Sequence, residues 1–465
     1  MKISIIEASS GNNQIFGITD MELIGPILIG TVLRNAGYDV KVFRETSSGG
    51  VDWEWVMNSN VVGISCMTPS ASRAYEIGDI IKSKGIPVVM GGIHPTLCPN
   101  ECLEHSDFVV RNEGEDTVLE VLEFIRNIPK NINEILGISY KDTEGNIHHN
   151  PDRPFIRNLD EYPIPDFSLV SGIKKKGIIE KTLFLPIKPI FTSRGCPYKC
   201  TFCSVRIMFG GKYRTKSVER IIKEMRYMRQ FSKNFFFVDD NIGVDQKRLR
   251  NLCNAIIDNG LNDCAWNAQV RLEIAKDENL LKLMARAGCT RVHIGFESAS
   301  DTSLEAMKKN QTAGEMKKAI AAFHNAGIKI HGMFILGFDT DDVSIFDKTL
   351  HHIRNIKVDT AHCTALTMFP GTPDYKEIQK QNRLIPGIQW KDMNMFNVTF
   401  QPAQMTPREL QTGIFGVMKK FYNFGYLVRN IRREGFFALQ VYLYVKLALK
   451  KAKSQLDEFL QRFNL

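Results

Sequence analysis

The chain has 465 residues, a formal net charge of +9 and 10 cysteines. This length exceeds one ordinary hydrophobic core, so we expect two or three domains. Hydrophobic residues make up 43% of the chain and charged residues 24%, which excludes an intrinsically disordered protein. The first residues lack the basic start and long apolar run of a signal peptide, which predicts a cytoplasmic protein. The cysteines are then expected to be thiols or metal ligands and not disulfides.

Residues 1–130 alternate short apolar strands with amphipathic helical stretches. That alternation predicts an α/β fold with a doubly wound, Rossmann-like parallel sheet covered by helices on both faces. Ligands of such sheets bind at the carboxyl ends of the strands. The candidate residues at those ends are Ser65, Thr68, Gly91, Gly92, His94, Glu113, Gly114 and Glu115.

A second alternation begins near residue 187, after a stretch that carries four prolines between 150 and 170. Six β/α units predict a partial (β/α)6 barrel, smaller than the eightfold TIM barrel. Its strands are expected at 188–193, 234–239, 264–271, 290–296, 329–336 and 361–368. The predicted organisation is a Rossmann-like domain at 1–135, a linker at 136–180, the barrel at 181–400 and a helical C-terminal region at 401–465.

The stretch TSRGCPYKCTFCS places Cys196, Cys200 and Cys203 in a C-x3-C-x2-C array after a predicted strand. Three clustered thiols indicate a metal site, and iron–sulfur clusters are held by cysteine thiolates. A structural zinc knuckle is the alternative, although no further Cys or His follows at zinc-finger spacing. A [4Fe–4S] cluster held by three cysteines would leave one iron open to a small molecule.

With Phe202 included, this array resembles the C-x3-C-x-aromatic-C motif of the radical S-adenosylmethionine (SAM) enzymes. The resemblance implies that the three cysteines are both the catalytic and the metal-binding residues. It implies a [4Fe–4S] cluster whose open iron binds SAM, which a low-potential electron cleaves to a 5′-deoxyadenosyl radical. Later stretches, such as NFFFVDDN and VHIGFESAS, resemble the family in order and spacing. The implied cofactor contacts in the barrel are Phe202, Asp239, Asp240, Asn241, Arg271 and Glu297.

The front region, with VVMGGIHP and RNEGED, resembles the cobalamin-binding domain that precedes the radical barrel in one subgroup of this family. The resemblance implies that the eight strand-end residues named above contact cobalamin. No D-x-H-x-x-G motif occurs in residues 1–150, so His94 is expected to contact the corrin or its tail and not to ligate cobalt. The subgroup usually has the pattern RGEGE, whereas this chain has Arg111-Asn112-Glu113-Gly114-Glu115. The alternative is a sheet that binds no cofactor.

The whole chain is most similar to the subgroup that includes hopanoid methylases and other lipid-modifying members. This resemblance implies methylation of an unactivated carbon in a small-molecule or lipid substrate.

Radical cyclisation or rearrangement is one alternative. A second is a tRNA methylthiotransferase-like activity, for which Cys66, Cys98 and Cys102 would hold another cluster. A third is a non-catalytic metal-binding module for nucleic acid, although nucleic acid is not an expected partner. The implied electron donor is a low-potential protein such as flavodoxin or ferredoxin.

The C-terminal region is basic, because residues 406–465 hold eleven Lys and Arg residues against four Asp and Glu residues. An apolar run follows residue 436, but Lys446 interrupts it before the roughly 20 residues that span a bilayer. These helices either lie on a membrane surface or pack against the barrel. The first interpretation predicts a cytoplasmic enzyme peripheral to the inner face of the membrane.

Overall fold

A computed structural model describes residues 1–11, 21–45, 49–172, 187–309 and 311–465 of the chain. Two sheets organise these residues: an eight-stranded front sheet and a six-stranded barrel sheet. The end of the predicted linker, 173–180, and the first residues of the predicted barrel domain, 181–186, lie outside the described residues.

Five parallel strands form the centre of the front sheet, and most of their side chains are buried, as expected for strands covered on both faces. The strands are β1 (Lys2–Glu7), β2 (Asp39–Arg44), β3 (Val61–Ser65), β4 (Val88–Gly91) and β5 (Phe108–Val110). Their spatial order is β5-β4-β3-β1-β2, so β1 lies between the two strands that follow it in the chain. This order confirms the doubly wound, Rossmann-like fold.

Helices cover both faces of the front sheet and enclose two separate apolar clusters. Ile27 and Val121 belong to the cluster under α1 and α6, whereas Ile77 and Cys102 belong to the cluster under α3 and α5. The helices are α1 (Ile24–Asn35), α2 (Trp53–Met57), α3 (Ala71–Lys82), α4 (Ile93–Leu97), α5 (Pro99–His105) and α6 (Glu115–Ile125).

The segment predicted as a linker contributes strands to the front sheet. The strands β6 (Ile138–Lys141) and β7 (Ile147–His149) form an antiparallel hairpin on β5, and β8 (Val170–Ser171) pairs with β2. The prediction of a linker at 136–180 is therefore wrong for these residues. The physical reason is that β5 and β2 would otherwise leave rows of unpaired backbone groups at the edges of the sheet.

The proline-rich stretch after this hairpin joins the two halves of the molecule through Asp166. Its backbone N–H donates to Oγ1 of Thr31 on α1 at 2.8 Å. Its carboxylate binds Arg34 on the same helix and accepts a 2.8 Å hydrogen bond from the hydroxyl of Tyr227 in the barrel region.

The barrel sheet has six parallel strands in chain order, with β9 and β16 at its edges, which confirms the partial (β/α)6 barrel. The first predicted strand is divided, because a short antiparallel ribbon, β10 with β11, follows β9. The strands are β9 (Ile187–Ile190), β10 (Ser193–Arg194), β11 (Arg214–Thr215), β12 (Asn234–Phe237), β13 (Ala265–Val270), β14 (Cys289–Glu297), β15 (Lys329–Leu336) and β16 (Thr360–Ala365).

Amphipathic helices alternate with these strands, and most begin at a capping side chain that satisfies a free backbone N–H. Ser217 and Asp245, for example, each accept a hydrogen bond from a backbone N–H in the first turn of the helix that follows. The helices are α7 (Val205–Phe209), α8 (Val218–Met228), α9 (Gln246–Asp258), α10 (Glu278–Arg286), α11 (Asp301–Ala306), α12 (Ala313–Asn325), α13 (Ile345–Ile356) and α14 (Pro373–Lys380).

The C-terminal region is helical, as the sequence predicts, and consists of α15 (Pro407–Phe421), α16 (Phe424–Glu434) and α17 (Phe436–Arg462). Helix α15 begins with a capping box, in which Thr406 and Glu409 bond to each other's backbone N–H. After α15, the buried Tyr422 donates its hydroxyl to the carbonyl of Ala361 on β16 at 2.8 Å. Among the described residues, no helix combines the length and apolar composition that crossing a bilayer requires.

Candidate active site

Cys196, Cys200 and Cys203 lie on one loop, residues 195–204, which we call the cysteine loop. It leaves the β10–β11 ribbon at Gly195, where φ is +87° and a Cβ would lie 2.3 Å from the carbonyl oxygen of Lys212. Only glycine fits such a turn without displacing the backbone. The three thiols are free and partly exposed. Three accessible sulfur ligands on one short loop fit an iron–sulfur cluster.

Burial favours the protonated form of two of these thiols when no metal is bound. It raises the pKa of Cys203 to about 12 and also raises the pKa of Cys196. A ligating cysteine must be deprotonated, so binding of a cluster at this loop would release protons.

Side chains from the barrel hold the cysteine loop on several sides. The guanidinium carbon of Arg271 lies 3.9 Å from the centre of the Tyr198 ring. Phe202 packs edge-on against Phe338, which follows β15. The Thr201 hydroxyl donates to the carboxylate of Asp374 on α14 at 3.1 Å. The loop is therefore placed by residues far from it in sequence.

A cavity of about 310 Å³, which we call the rim cavity, lies between the front sheet and the barrel. It borders the carboxyl ends of β3, β4 and β5 on one side and the residues beside the cysteine loop on the other. Its walls are mainly apolar, with contributions from Ile5, Val61, Val110, Phe191 and Met208. The predicted residues that line it are Ser65, Gly91, Gly92, Glu113, Gly114, Glu115 and Asp240.

The structure does not bring Thr68 and His94 to the rim cavity. The two ring nitrogens of His94 face the Tyr75 hydroxyl at 2.8 Å and the Thr68 hydroxyl at 3.4 Å. His94 is fully buried, and burial lowers its pKa to about 4. The indole ring of Trp390 packs edge-on against it. These contacts describe a neutral histidine inside the front domain.

Two backbone conformations shape the front wall of the cavity. Gly92 has φ +107°, and a Cβ there would lie 2.8 Å from the carbonyl oxygen of Cys66, so β3 and β4 approach closely at their ends. Asn112 has φ +59°, and its N–H donates to the Thr96 hydroxyl at 2.9 Å. Asparagine tolerates this left-handed region, which explains how it replaces the usual glycine of RGEGE.

The strongest link across the cavity is an ion-pair network around Glu113. Its carboxylate accepts hydrogen bonds from Arg194 at 2.8 Å and from Arg214 at 2.7 Å, the two facing residues of the ribbon. Arg194 also binds Glu115. All four side chains are largely buried, and charge-assisted hydrogen bonds are strong in such surroundings. The network joins the front sheet to the base of the cysteine loop.

The three polar residues that follow β12 lie in different surroundings. Asp239 is buried and accepts hydrogen bonds from the backbone and hydroxyl of Thr192 and from the hydroxyl of Ser193. Asn241 caps a short 3₁₀ turn through the N–H of Gly243. Asp240 alone lines the rim cavity, and burial together with the charge of Asp239 raises its pKa to about 7.

Glu297 forms a buried ion pair with Lys309 at the carboxyl end of β14. Its backbone has φ +63°, a strained conformation for glutamate that is typical of functional sites. A Cβ on Gly295 would lie 2.1 Å from the Glu297 carboxylate, so a larger residue there would displace this carboxylate from its present position. Arg271 donates to Glu273 and to the carbonyl oxygen of Lys309.

Sequence reasoning missed Arg214 and Lys309, the partners of predicted residues. Arg214 lies in GGKYRTK and Lys309 in AMKKNQ, two stretches that carry no motif. In the sequence, both are marked only as basic residues that lie between a predicted strand and a predicted helix.

Comparison with known proteins agrees with this geometry. The Radical SAM superfamily profile matches residues 190–375, and the B12 binding domain profile matches residues 19–122. An uncharacterised methyltransferase of Pyrococcus horikoshii is 31% identical over 370 residues, which cover 78% of each chain. The chain belongs to the radical SAM enzymes that carry a cobalamin-binding domain. It is a cobalamin-dependent methyltransferase whose cofactors are SAM, a [4Fe–4S] cluster and cobalamin.

Two other relatives in this family differ in the reactions their names describe. The hopanoid C-3 methylase of Methylococcus capsulatus is 24% identical and aligns over 81% of this chain and 72% of its own. An anaerobic magnesium-protoporphyrin IX monomethyl ester cyclase of Cereibacter sphaeroides is 25% identical over 84% of this chain and 65% of its own.

Among solved structures, the fold is shared with the radical SAM methyltransferase TsrM of Kitasatospora setae. That structure, with cobalamin and a [4Fe–4S] cluster bound, has a TM-score of 0.74 at 17% identity. The alignment covers 98% of this chain and 99% of the TsrM chain.

Replacement of Cys196, Cys200 and Cys203 by Ala should remove cluster iron and abolish formation of 5′-deoxyadenosine, because the cluster loses all its protein ligands. Iron content and chromatography of the SAM cleavage products measure this. Cys98→Ala is the matched control, since Cys98 is also a partly buried free thiol but lies outside the loop. Normal SAM cleavage by the triple variant would refute the assignment of the cysteine loop.

Glu113→Gln should destabilise the protein by about 3–5 kcal/mol, because it leaves buried arginines without their carboxylate. Burial alone would raise the pKa of Glu113, but the hydrogen bond from Arg214 and the charge of Arg194 lower it overall. The stabilisation is therefore complete above the usual pKa of 4.5 and is lost as the pH falls through the lowered value. Guanidinium unfolding across this pH range measures the effect.

Glu104→Gln is the control for this experiment, because Glu104 pairs with Lys141 on the exposed surface. Its unfolding midpoint should stay close to that of the native protein. Equal midpoints for Glu113→Gln and the native protein at neutral pH would show that the network does not join the two sheets.

Gly92→Ala should lower the unfolding free energy by about 1–3 kcal/mol and reduce bound corrin, because the added Cβ pushes β3 from β4 at the cavity wall. Visible absorbance of the purified protein measures the corrin. Gly85→Ala is the matched control, since Gly85 also has positive φ, +71°, but no atom lies within 4 Å of the added Cβ. Equal corrin content in the two variants would contradict a role for Gly92 in shaping this wall.

Proposed function

We propose that this enzyme methylates an unactivated carbon of an apolar small-molecule or lipid substrate at the rim cavity. The observation that carries the proposal is the position of this cavity: front-sheet strand ends form one wall, and residues beside the cysteine loop form the other. When bound, the cluster with SAM supplies a carbon-centred radical and cobalamin supplies a methyl group, the two reagents that such a carbon needs.

The side chains of this chain have separate tasks in the proposal. The cysteine loop binds the cluster and leaves one coordination position open, which suits SAM. Ser65, Gly91 and Gly92 form the polar and close-packed part of the wall that faces cobalamin. The apolar residues of the cavity exclude water, which protects a reactive radical from side reactions. The pKa of Asp240, raised to about 7, leaves part of this carboxyl protonated near neutral pH, so that it can donate a hydrogen bond at the edge of the cavity.

Two residues near the cysteine loop are proposed to position SAM. Arg271 stacks on Tyr198 of the loop, and the Glu297–Lys309 pair lies at the end of β14. Their rigid contacts support a role in orienting a charged ligand, since preorganised polar groups need no rearrangement on binding.

Two partners complete the proposed reaction cycle. A low-potential protein such as flavodoxin or ferredoxin would supply the electron that SAM cleavage consumes. A cytoplasmic location at the inner face of a membrane would place the enzyme near lipid substrates and is consistent with the basic C-terminal helices.

The test is chemical analysis of protein made in a cobalamin-replete host and purified without oxygen. We expect about four irons per chain for one cluster and about one corrin for one cofactor domain. Transfer of labelled methyl from SAM into a lipid extract, read by mass spectrometry, identifies the substrate. Methyl incorporation should disappear in the triple cysteine variant.

Radical cyclisation or rearrangement is the second candidate, favoured by the similarity to the magnesium-protoporphyrin cyclase. The same experiment separates the two. Substrate conversion coupled to 5′-deoxyadenosine formation without methyl incorporation would overturn methyl transfer and support cyclisation.

A further inference from the structure

The exposed apolar side chains of this protein are concentrated on the last two helices. Among the described residues, twelve large hydrophobic side chains are exposed, and seven of them lie between positions 424 and 447. Leu447 and Phe424 are the most exposed, at 70% and 68%. We call this set the apolar stripe; it consists of Phe424, Val428, Ile431, Phe436, Phe437, Leu443 and Leu447.

The stripe follows the helical repeat on both helices. Phe424, Val428 and Ile431 are spaced i, i+4 and i+7, so they lie on one face of α16. Phe436, Leu443 and Leu447 share one face of α17 in the same way. The opposite faces are buried against the protein, through Tyr426 on α16 and through Val441 and Val445 on α17. The helices are therefore packed on one side and apolar on the other.

Basic side chains border the stripe. Between residues 424 and 453 the sequence has seven Lys and Arg residues and a single acid, Glu434. The carboxylate of Glu434 binds Arg291 of the barrel at 2.8 Å. Arg429, Arg432, Lys446 and Lys450 are exposed beside the apolar side chains. The face thus combines apolar and cationic surface.

We propose that this face docks on an anionic phospholipid bilayer. Helices that lie in a membrane interface have Phe and Leu on one face and Lys and Arg beside it, and they bind anionic lipid most strongly. A symmetric contact with a second copy would bring the same basic residues together and is disfavoured by repulsion. Nucleic acid would use the cations but would leave the stripe exposed to water.

The α16 part of the docking face lies at the end of the barrel where the strands begin, opposite the end that carries the cysteine loop. Helix α16 contacts the first residues of the barrel strands, where the Lys329 ammonium donates to the carbonyl oxygen of Arg433 at 2.8 Å. The cysteine loop instead follows the carboxyl end of β9. None of the stripe residues lines the rim cavity, so docking on this face would not fill that cavity. This inference specifies the membrane contact of the proposed function and does not depend on methyl transfer.

Vesicle flotation with the full-length chain tests the inference. The protein should float with vesicles that contain phosphatidylglycerol, and much less with pure phosphatidylcholine. The double variant Leu443→Ser, Leu447→Ser should weaken vesicle binding at least about tenfold, because two leucine side chains are no longer transferred from water into the membrane. Lys446→Glu with Lys450→Glu should abolish the preference for phosphatidylglycerol. High salt should weaken binding of the native chain.

Matched controls are Val343→Ser, which removes an exposed apolar residue elsewhere, and Lys223→Glu with Lys318→Glu, which changes charge elsewhere. These variants should float like the native chain. No flotation of the native chain, or flotation unchanged in both stripe variants, would overturn the inference. If the native chain self-associates and the double variant Leu443→Ser, Leu447→Ser does not, the partner of this face is a second copy of the chain instead.

SAM cleavage in solution separates the two proposals. The stripe variants should form 5′-deoxyadenosine at the native rate, because none of the changed residues lines the rim cavity or belongs to the cysteine loop. Loss of cleavage in these variants would contradict the separation of docking from catalysis. If the native chain transfers methyl normally but does not float with the vesicles, only the proposal of the docking face is overturned.

Discussion

The pairing of Glu113 with Arg194 and Arg214 is the interaction on which the arrangement of the active site depends. One carboxylate from the front sheet binds both arginines at the root of the loop that carries the cysteines. Because these groups are largely buried, replacing the carboxylate or either guanidinium by water would cost free energy of folding. The front wall of the rim cavity and the cysteine loop are thus held by the same contact.

A second set of contacts makes this geometry rigid. Asp239 binds Thr192 and Ser193 and so fixes the start of the ribbon on the barrel. Asp166 ties the proline-rich connector to a helix of each half. Radical chemistry benefits from such preorganisation, because a misplaced reactive carbon would abstract hydrogen from the protein or solvent. The polar groups near the site mostly hold the scaffold, and the cavity itself stays apolar.

The two ends of the barrel have different surfaces for a physical reason. The carboxyl ends of parallel strands collect loops, which supply ligand-binding groups. At the other end, α16 and the start of α17 pack beside the first residues of β14 and β15. Once packed, their outer faces are not constrained by the core, and on this chain they remain apolar and basic. Substitutions on these outer faces can therefore occur without changing the residues that line the rim cavity.

The sequence by itself determined the local features: the alternation of strands and helices in both sheets, and the grouping of three thiols on one loop, because Cys196, Cys200 and Cys203 are neighbours in the chain. It misjudged the segment at 136–180, because a hairpin at a sheet edge is stabilised by pairing with β5 and not by its own composition. The tertiary structure decided which polar residues face the cavity. Arg214 meets Glu113 across 101 positions, and His94 turns inward to Tyr75, since such contacts depend on how distant segments pack.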